Sequence, residues 1–300
     1  MSVRDIAALL TLSVLWGGSF FFVEVLVDHF RPMTIVALRV GLAAIGLWGI
    51  TLALRLPLPQ TAQQWRALFT LSLLNNCIPF SLIAWGQTQI SSGLASIFNA
   101  TTPFFTVLVA GAFLADERIT APKIAGVLFG LLGTIVLIGP EVLKNSSGSV
   151  LGQFAVMAAA ISYAFAGTYA RRFKVWGLSP LIVAVGQVSM ASLAMIPLAL
   201  FIDQPWHLMS VPLTALGAVI GLAIASTVFG YILYFKLIES AGATNAALVT
   251  LLIPISAILL GVAFLNETFS AQQGAGMGLV ATGLLIMDGR LFSYLKRLAS

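Results

Sequence analysis

Three polar side chains stand four residues ahead of a proline inside apolar stretches: Asn75 before Pro79, Asn99 before Pro103 and Thr250 before Pro254. Proline has no N–H to return to the carbonyl four residues earlier. Each pair predicts a freed carbonyl beside a polar side chain, where an ammonium or a carboxylate could be hydrogen-bonded. Asn76 and Phe80 border the first of these breaks. Trp16, with Ser19 close by, and Tyr163 fall well inside their stretches, away from the surface belt where such rings normally anchor. Trp16 and Tyr163 are expected to face each other and stack on an apolar or aromatic group. These eight residues are the candidate substrate contacts. The alternative is structural: polar groups that re-satisfy a kinked backbone, and large rings that pack helices.

Two charges are of interest. Glu24 and Arg39 lie about 5 Å and about 10 Å inside the same end of adjacent antiparallel stretches, by helical rise. They are expected to pair, as a structural staple or an outer gate, although the long arginine side chain can also snorkel. Tyr231 and Tyr234 fall near a stretch end and read as interface anchors or vestibule residues. Trp65, Trp85, Trp176 and Trp206 lie at stretch ends and read as belt anchors.

Catalytic chemistry has little to work with. Cys77 is the single cysteine, and His29 and His207 lie far apart in loops. No cysteine, histidine or carboxylate cluster suggests a metal, no motif suggests a cofactor, and no Walker loop suggests ATP drive. No acid occupies the central third of any apolar stretch.

The elements that carry these residues follow from composition. Of 300 residues, 59% are hydrophobic and only 8% charged, with a mean hydropathy of +1.03, which no water-soluble surface can accommodate. Ten stretches of roughly twenty residues are each long enough to cross the ~30 Å hydrocarbon core as a helix. They cover 6–27, 33–54, 65–85, 92–114, 121–140, 150–170, 180–202, 211–235, 242–264 and 272–290. The first is too long for a signal peptide and lacks a small-residue cleavage site, so it reads as a retained helix. The fold expected is an all-α integral membrane protein of ten transmembrane helices.

Lys and Arg crowd one face. Arg4, Arg55, Arg66, Arg118, Lys123, Arg171, Arg172, Lys174, Lys236, Arg290, Lys296 and Arg297 share the side of the two termini, against Arg31 and Lys144 opposite. That bias predicts cytoplasmic termini. The net charge of +5 thus reflects topology and lipid headgroups, and these scattered loop charges make no patch for nucleic acid. Asn145-Ser146-Ser147 matches a glycosylation pattern in a Gly/Ser-rich linker, where such a match is usually accidental.

The chain also repeats itself. Pro103 through Glu117 resembles Pro254 through Glu267, and glycines follow each acid after nine and sixteen residues: Gly126 and Gly133, then Gly276 and Gly283. Two halves are expected, 1–140 and 150–300, joined by the linker around 139–152. Five stretches per half is odd, so the second copy must be inverted, and the loop after Glu267 lacks the basic residues found after Glu117. Gln187 is the approximate repeat counterpart of Arg39. Gly126, Gly130 and Gly133 share a helix face, as do Gly276 and Gly283. Small residues let backbones approach closely, so these faces are packing seams, within a monomer or between two copies.

The run Leu15-Trp16-Gly17-Gly18-Ser19-Phe20, the two proline-to-glutamate-to-glycine blocks and Arg39 resemble EamA-type members of the drug/metabolite transporter superfamily, over about residues 5 to 290. The resemblance implies two inverted five-helix halves, a small-molecule substrate, the lipid bilayer as surroundings, and export or exchange of metabolites from the bacterial inner membrane. It points further to bacterial amino-acid exporters. Absent a coupling carboxylate, the mechanism expected is uncoupled facilitated diffusion by alternating access, through a cavity walled by the first, third, fourth, sixth, eighth and ninth helices. Two readings compete. A phosphorylated-sugar or nucleotide-sugar antiporter would want several cations in the cavity. An integral-membrane lipid transferase would need an acid or histidine cluster that is missing. Monomer and homodimer both fit.

Overall fold

The computed structural model describes residues 2–114, 120–138, 148–207, 211–246 and 248–288. Among them are ten apolar helices: α1 (Val3–Val27), α2 (Pro32–Ala53), α3 (Ala62–Gly86), α4 (Ser92–Phe113), α5 (Ala121–Ile138), α6 (Gly148–Val175), α7 (Pro180–Ile202), α8 (Leu213–Ala241), α9 (Val249–Phe264) and α10 (Ala271–Asp288). Seven of them are long and apolar enough to cross a membrane. Their outward faces carry Phe, Leu and Ile, as at Phe113, Leu193, Phe201 and Leu259, the surface that lipid requires. The expected linker around Asn145, the acid Glu117 and the basic tail from Arg290 lie outside the described residues.

Local sequence sets where helices begin. Ser2 and Asp5 form a capping box on α1, Asp5 N–H donating to Ser2 Oγ at 3.2 Å and Ser2 N–H to Asp5 Oδ2 at 2.8 Å. Thr61 and Gln64 repeat the device on α3. Pro32 and Pro180 open α2 and α7, where a missing N–H costs nothing.

The prolines reshape the helices, each differently. Ahead of Pro79, α3 widens into a π turn over Leu73–Cys77, and Ile78 N–H reaches back to the Leu73 carbonyl. The Leu74 carbonyl takes a bond from Ser162 Oγ of α6 at 2.7 Å. α4 is interrupted between Asn99 and Thr102, with Pro103 in the first turn of its second segment. The freed Asn99 carbonyl accepts from Thr102 Oγ1 at 2.6 Å. α9, by contrast, runs through Pro254 unbroken; the interruption lies upstream, after a separate turn over Ala243–Ala246. In α8 a longer π segment spans Gly221–Phe229.

The packing obeys a two-fold exchange. α2 packs on its repeat counterpart α7, and α5 on α10, whereas α1 packs on α9 while α6 packs on α4. Each first helix of a half thus lies against the fourth of the other. The glycine seam is internal to the chain. A Cβ on Gly126 would sit 2.6 Å from the Gly283 carbonyl oxygen, and one on Gly133 would sit 2.9 Å from that of Gly276. Since Gly126 corresponds to Gly276 and Gly133 to Gly283, each contact is the image of the other. At the end opposite the N-terminus two carboxylates tie the halves together. Asp203, closing α7, accepts from Thr34 N–H at 2.6 Å and Thr34 Oγ1 at 2.8 Å in α2. Glu267 accepts from the N–H groups of Ser92 and Gly93 at the start of α4, at 2.8 and 3.1 Å.

Candidate substrate cavity

A cavity of about 420 Å³ opens between the halves, lined by residues of α1 to α4 and α6 to α9. Its wall therefore includes α2 and α7 in addition to the six helices expected from sequence, and omits the glycine-seamed pair. Trp16, Ser19, Asn75, Phe80, Asn99, Tyr163 and Thr250 all line it. Asn76 does not. It is fully buried behind the wall, donating to the Tyr231 hydroxyl at 3.3 Å, and so positions a lining ring.

The π segments explain why polar side chains reach this interior. An extra residue per turn rotates Asn75 in α3, and Ser226 with Thr227 in α8, toward the axis between the halves, as π insertions in helices at functional sites commonly do. Asn75 Nδ2 donates to Gln187 Oε1 of α7 at 2.9 Å. Arg39 Nε of α2 donates to Thr227 Oγ1 of α8 at 3.1 Å. Pro254 follows Pro103 by 254 − 103 = 151 residues, and at that offset Ser226 and Thr227 correspond to Asn75 and Asn76. The two bonds thus join neighbouring rather than identical repeat positions, Thr227 matching Asn76 and not Asn75, and a cation in one half stands near where an amide stands in the other.

The expected pairing of Glu24 with Arg39 is not formed. Glu24 accepts from Gln87 Nε2 at 2.9 Å, and the same amide donates to the Phe20 carbonyl at 2.9 Å. Arg39 instead turns inward, its guanidinium carbon 3.6 Å from the centre of the Phe80 ring. The reason is reach: a wall threonine and an aromatic face lie where the side chain already points, while Gln87 occupies the carboxylate. Trp16 and Tyr163, expected to face each other, both line the cavity, but the ring that Trp16 touches is a different one. The partner of Trp16 is Tyr234, ring centres 5.1 Å apart, and the Trp16 indole covers Gly230, where no side chain could fit. Tyr231 and Tyr234 are cavity residues rather than interface anchors; Tyr231 stacks flat on Phe235 at 6.0 Å. No carboxylate and no lysine is among the lining residues, leaving Arg39 as their one charge.

The profile of the EamA-like transporter family matches this chain twice, over residues 4–139 and 150–287. The chain belongs to the EamA-like transporter family. It is a multi-pass membrane protein of two EamA repeats and a transporter rather than an enzyme. An uncharacterized transporter of Archaeoglobus fulgidus is 28% identical over 91% of this chain and 94% of its own length. A protein of Salmonella typhimurium named a probable amino-acid metabolite efflux pump is 27% identical over 95% of each. An uncharacterized inner membrane transporter of Escherichia coli is 24% identical over 93% and 89%. A solved crystal structure superposes with a TM-score of 0.67 at 18% identity, covering 96% of this chain and 98% of its own, which establishes the shared fold.

Within this EamA-like transporter, sequence reasoning missed Ser226 and Thr227 as wall residues and left Tyr231 and Tyr234 between interface and vestibule. A signal for them existed. The 151-residue offset that matches the prolines also places Ser226 against Asn75 and Tyr231 against Phe80.

Proposed function

We propose that this transporter exports small zwitterionic metabolites, amino acids with apolar or aromatic side chains foremost, by alternating access between its inverted halves. The observation that carries the reading is the cavity itself: one chamber at the repeat interface, walled by rings and amides from both halves. Its volume falls within the range of small-molecule sites. Substrate sites at the interface of inverted repeats are the general design of secondary carriers. The Salmonella relative, named for amino-acid metabolite efflux, supports the substrate class.

The wall offers roles of the right kind. Trp16, Phe80, Tyr163 and Tyr234 present apolar faces for a side chain, while Ser19, Asn75, Asn99 and Thr250 offer hydrogen bonds. With no carboxylate on the wall, nothing there exchanges a proton against the substrate, and flux runs down the substrate's own gradient. The excess of Lys and Arg on one face supports cytoplasmic termini in a bacterial cell, which would put Glu24, Asp203 and Glu267 at the outer end.

Flux of radiolabelled leucine and phenylalanine into liposomes containing the purified protein tests this. Uptake that is saturable and indifferent to an imposed pH gradient is expected. Gradient-driven uptake would refute the uncoupled mechanism, and no uptake by demonstrably folded protein would refute the substrate class.

A further inference from the structure

Arg39 is placed as a structural arginine would not be. A buried cation normally meets a carboxylate, because leaving an ion unpaired in a low-dielectric interior is costly. Here the one hydrogen bond of Arg39 among the described residues is through Nε, to Thr227 Oγ1. Thr227 is itself fixed, its hydroxyl donating to the Leu222 carbonyl at 2.8 Å inside the π segment of α8. The guanidinium plane rests on Phe80. Orientation is thus determined at one nitrogen and one face, while the Nη1 and Nη2 edge, with four N–H donors, has no acceptor among the described residues.

That edge has the geometry of a fork that takes both oxygens of a carboxylate. We infer that Arg39 is the carboxylate subsite of the cavity, selecting monocarboxylates with compact apolar tails over the corresponding amines. The inference rests on the cavity being the substrate site and deepens that reading. Charge balance sets the class: one fixed cation suits a monoanion, whereas a phosphate dianion would call for a second. The ammonium of an amino acid would then lie among the tyrosine and tryptophan faces, which attract cations. In the other half Gln187 holds the approximate counterpart position and is occupied by Asn75, so the cavity is asymmetric and a bound carboxylate has one orientation.

Calorimetric titration of the purified protein with three probes of equal tail tests the assignment. Leucine carries both groups, 4-methylpentanoate only the carboxylate, and 3-methylbutylamine only the ammonium. Wild type should bind the first two and not the amine, and Arg39→Gln should weaken both acids by tenfold or more. Arg39→Lys, which keeps the charge without the fork, should fall between. Should Arg39→Gln fail to fold, Thr227→Val, which removes only the Nε acceptor, should still weaken the acids several-fold while the amine stays unbound. Binding of the amine as tight as that of the acids, unchanged acid binding in Arg39→Gln, or no binding of either acid would overturn the inference. Acid binding that depends on Arg39, in protein showing no leucine flux, would uphold the subsite and remove amino-acid export.

Discussion

Asn75 and Asn76 are neighbours with different tasks. The Asn75 amide joins α3 to α7 at the cavity wall, whereas Asn76 lies buried behind it and holds the Tyr231 hydroxyl. Asn75→Ala removes a wall contact and leaves Gln187 free to turn into the chamber. Asn76→Ala releases a ring and leaves a buried hydroxyl without its donor, at about 1–2 kcal/mol. Both should insert normally and lose transport, Asn76→Ala with the larger fall in thermal stability; equal melting temperatures would contradict the division. Trp16→Ala should lower leucine flux roughly tenfold, about 1.4 kcal/mol, because it exposes Gly230 and unstacks Tyr234 together. Seven of the eight candidates named from sequence line the cavity, since a polar or aromatic residue deep in an apolar stretch has few places to go. What was not visible is who meets whom. Arg39 and Thr227 are 188 residues apart, and helices apolar all round carry no amphipathic signal to orient them.

Among the elements, α4 depends most on help from elsewhere. It is interrupted at its middle, and its first N–H groups are satisfied by Glu267 from beyond α9. In sequence this acid served only as a landmark of the repeat, because a cap supplied 175 residues away leaves no local trace. Glu267→Ala should destabilise the protein by about 2 kcal/mol, the scale of hydrogen bonds to a charged group, and Glu267→Gln should recover part of it; thermal unfolding in detergent would show both. Gly261→Ala should also destabilise, since a Cβ there would meet Glu267 Oε2 at 2.5 Å. Most span boundaries were legible within a few residues from hydropathy alone, but α8 ends six residues beyond the expected 235 and α9 begins seven beyond the expected 242. The effect of the prolines was not: the same residue type produced a π turn before Pro79, an interruption before Pro103 and a continuous helix through Pro254. What differs is which neighbour can take the displaced carbonyl, and that is a tertiary property.

For the whole molecule, the exchange of α1 and α6 between halves means that neither repeat completes its own packing. The glycine seam of α5 and α10 is where that dependence is tightest. Gly126→Leu or Gly283→Leu should each lower thermal stability by several kcal/mol, because overpacking against backbone has no soft partner to yield. The same change at Gly49, which has nothing within 4 Å of its added Cβ, should be nearly silent. The seam has a mechanical consequence. With carbonyl oxygens lying where methyl groups would be, the two helices are geared at the pitch of their own backbone. A slip of an ångström brings an oxygen against a neighbouring Cα, and the next register that fits lies a full turn away, about 5.4 Å. Any smaller rearrangement of the cavity must leave this pair in step and be taken up where the ladder is already irregular, in the widened turns of α3 and α8 and the break in α4. Rigidity and compliance are thus assigned to different helices of the same chain.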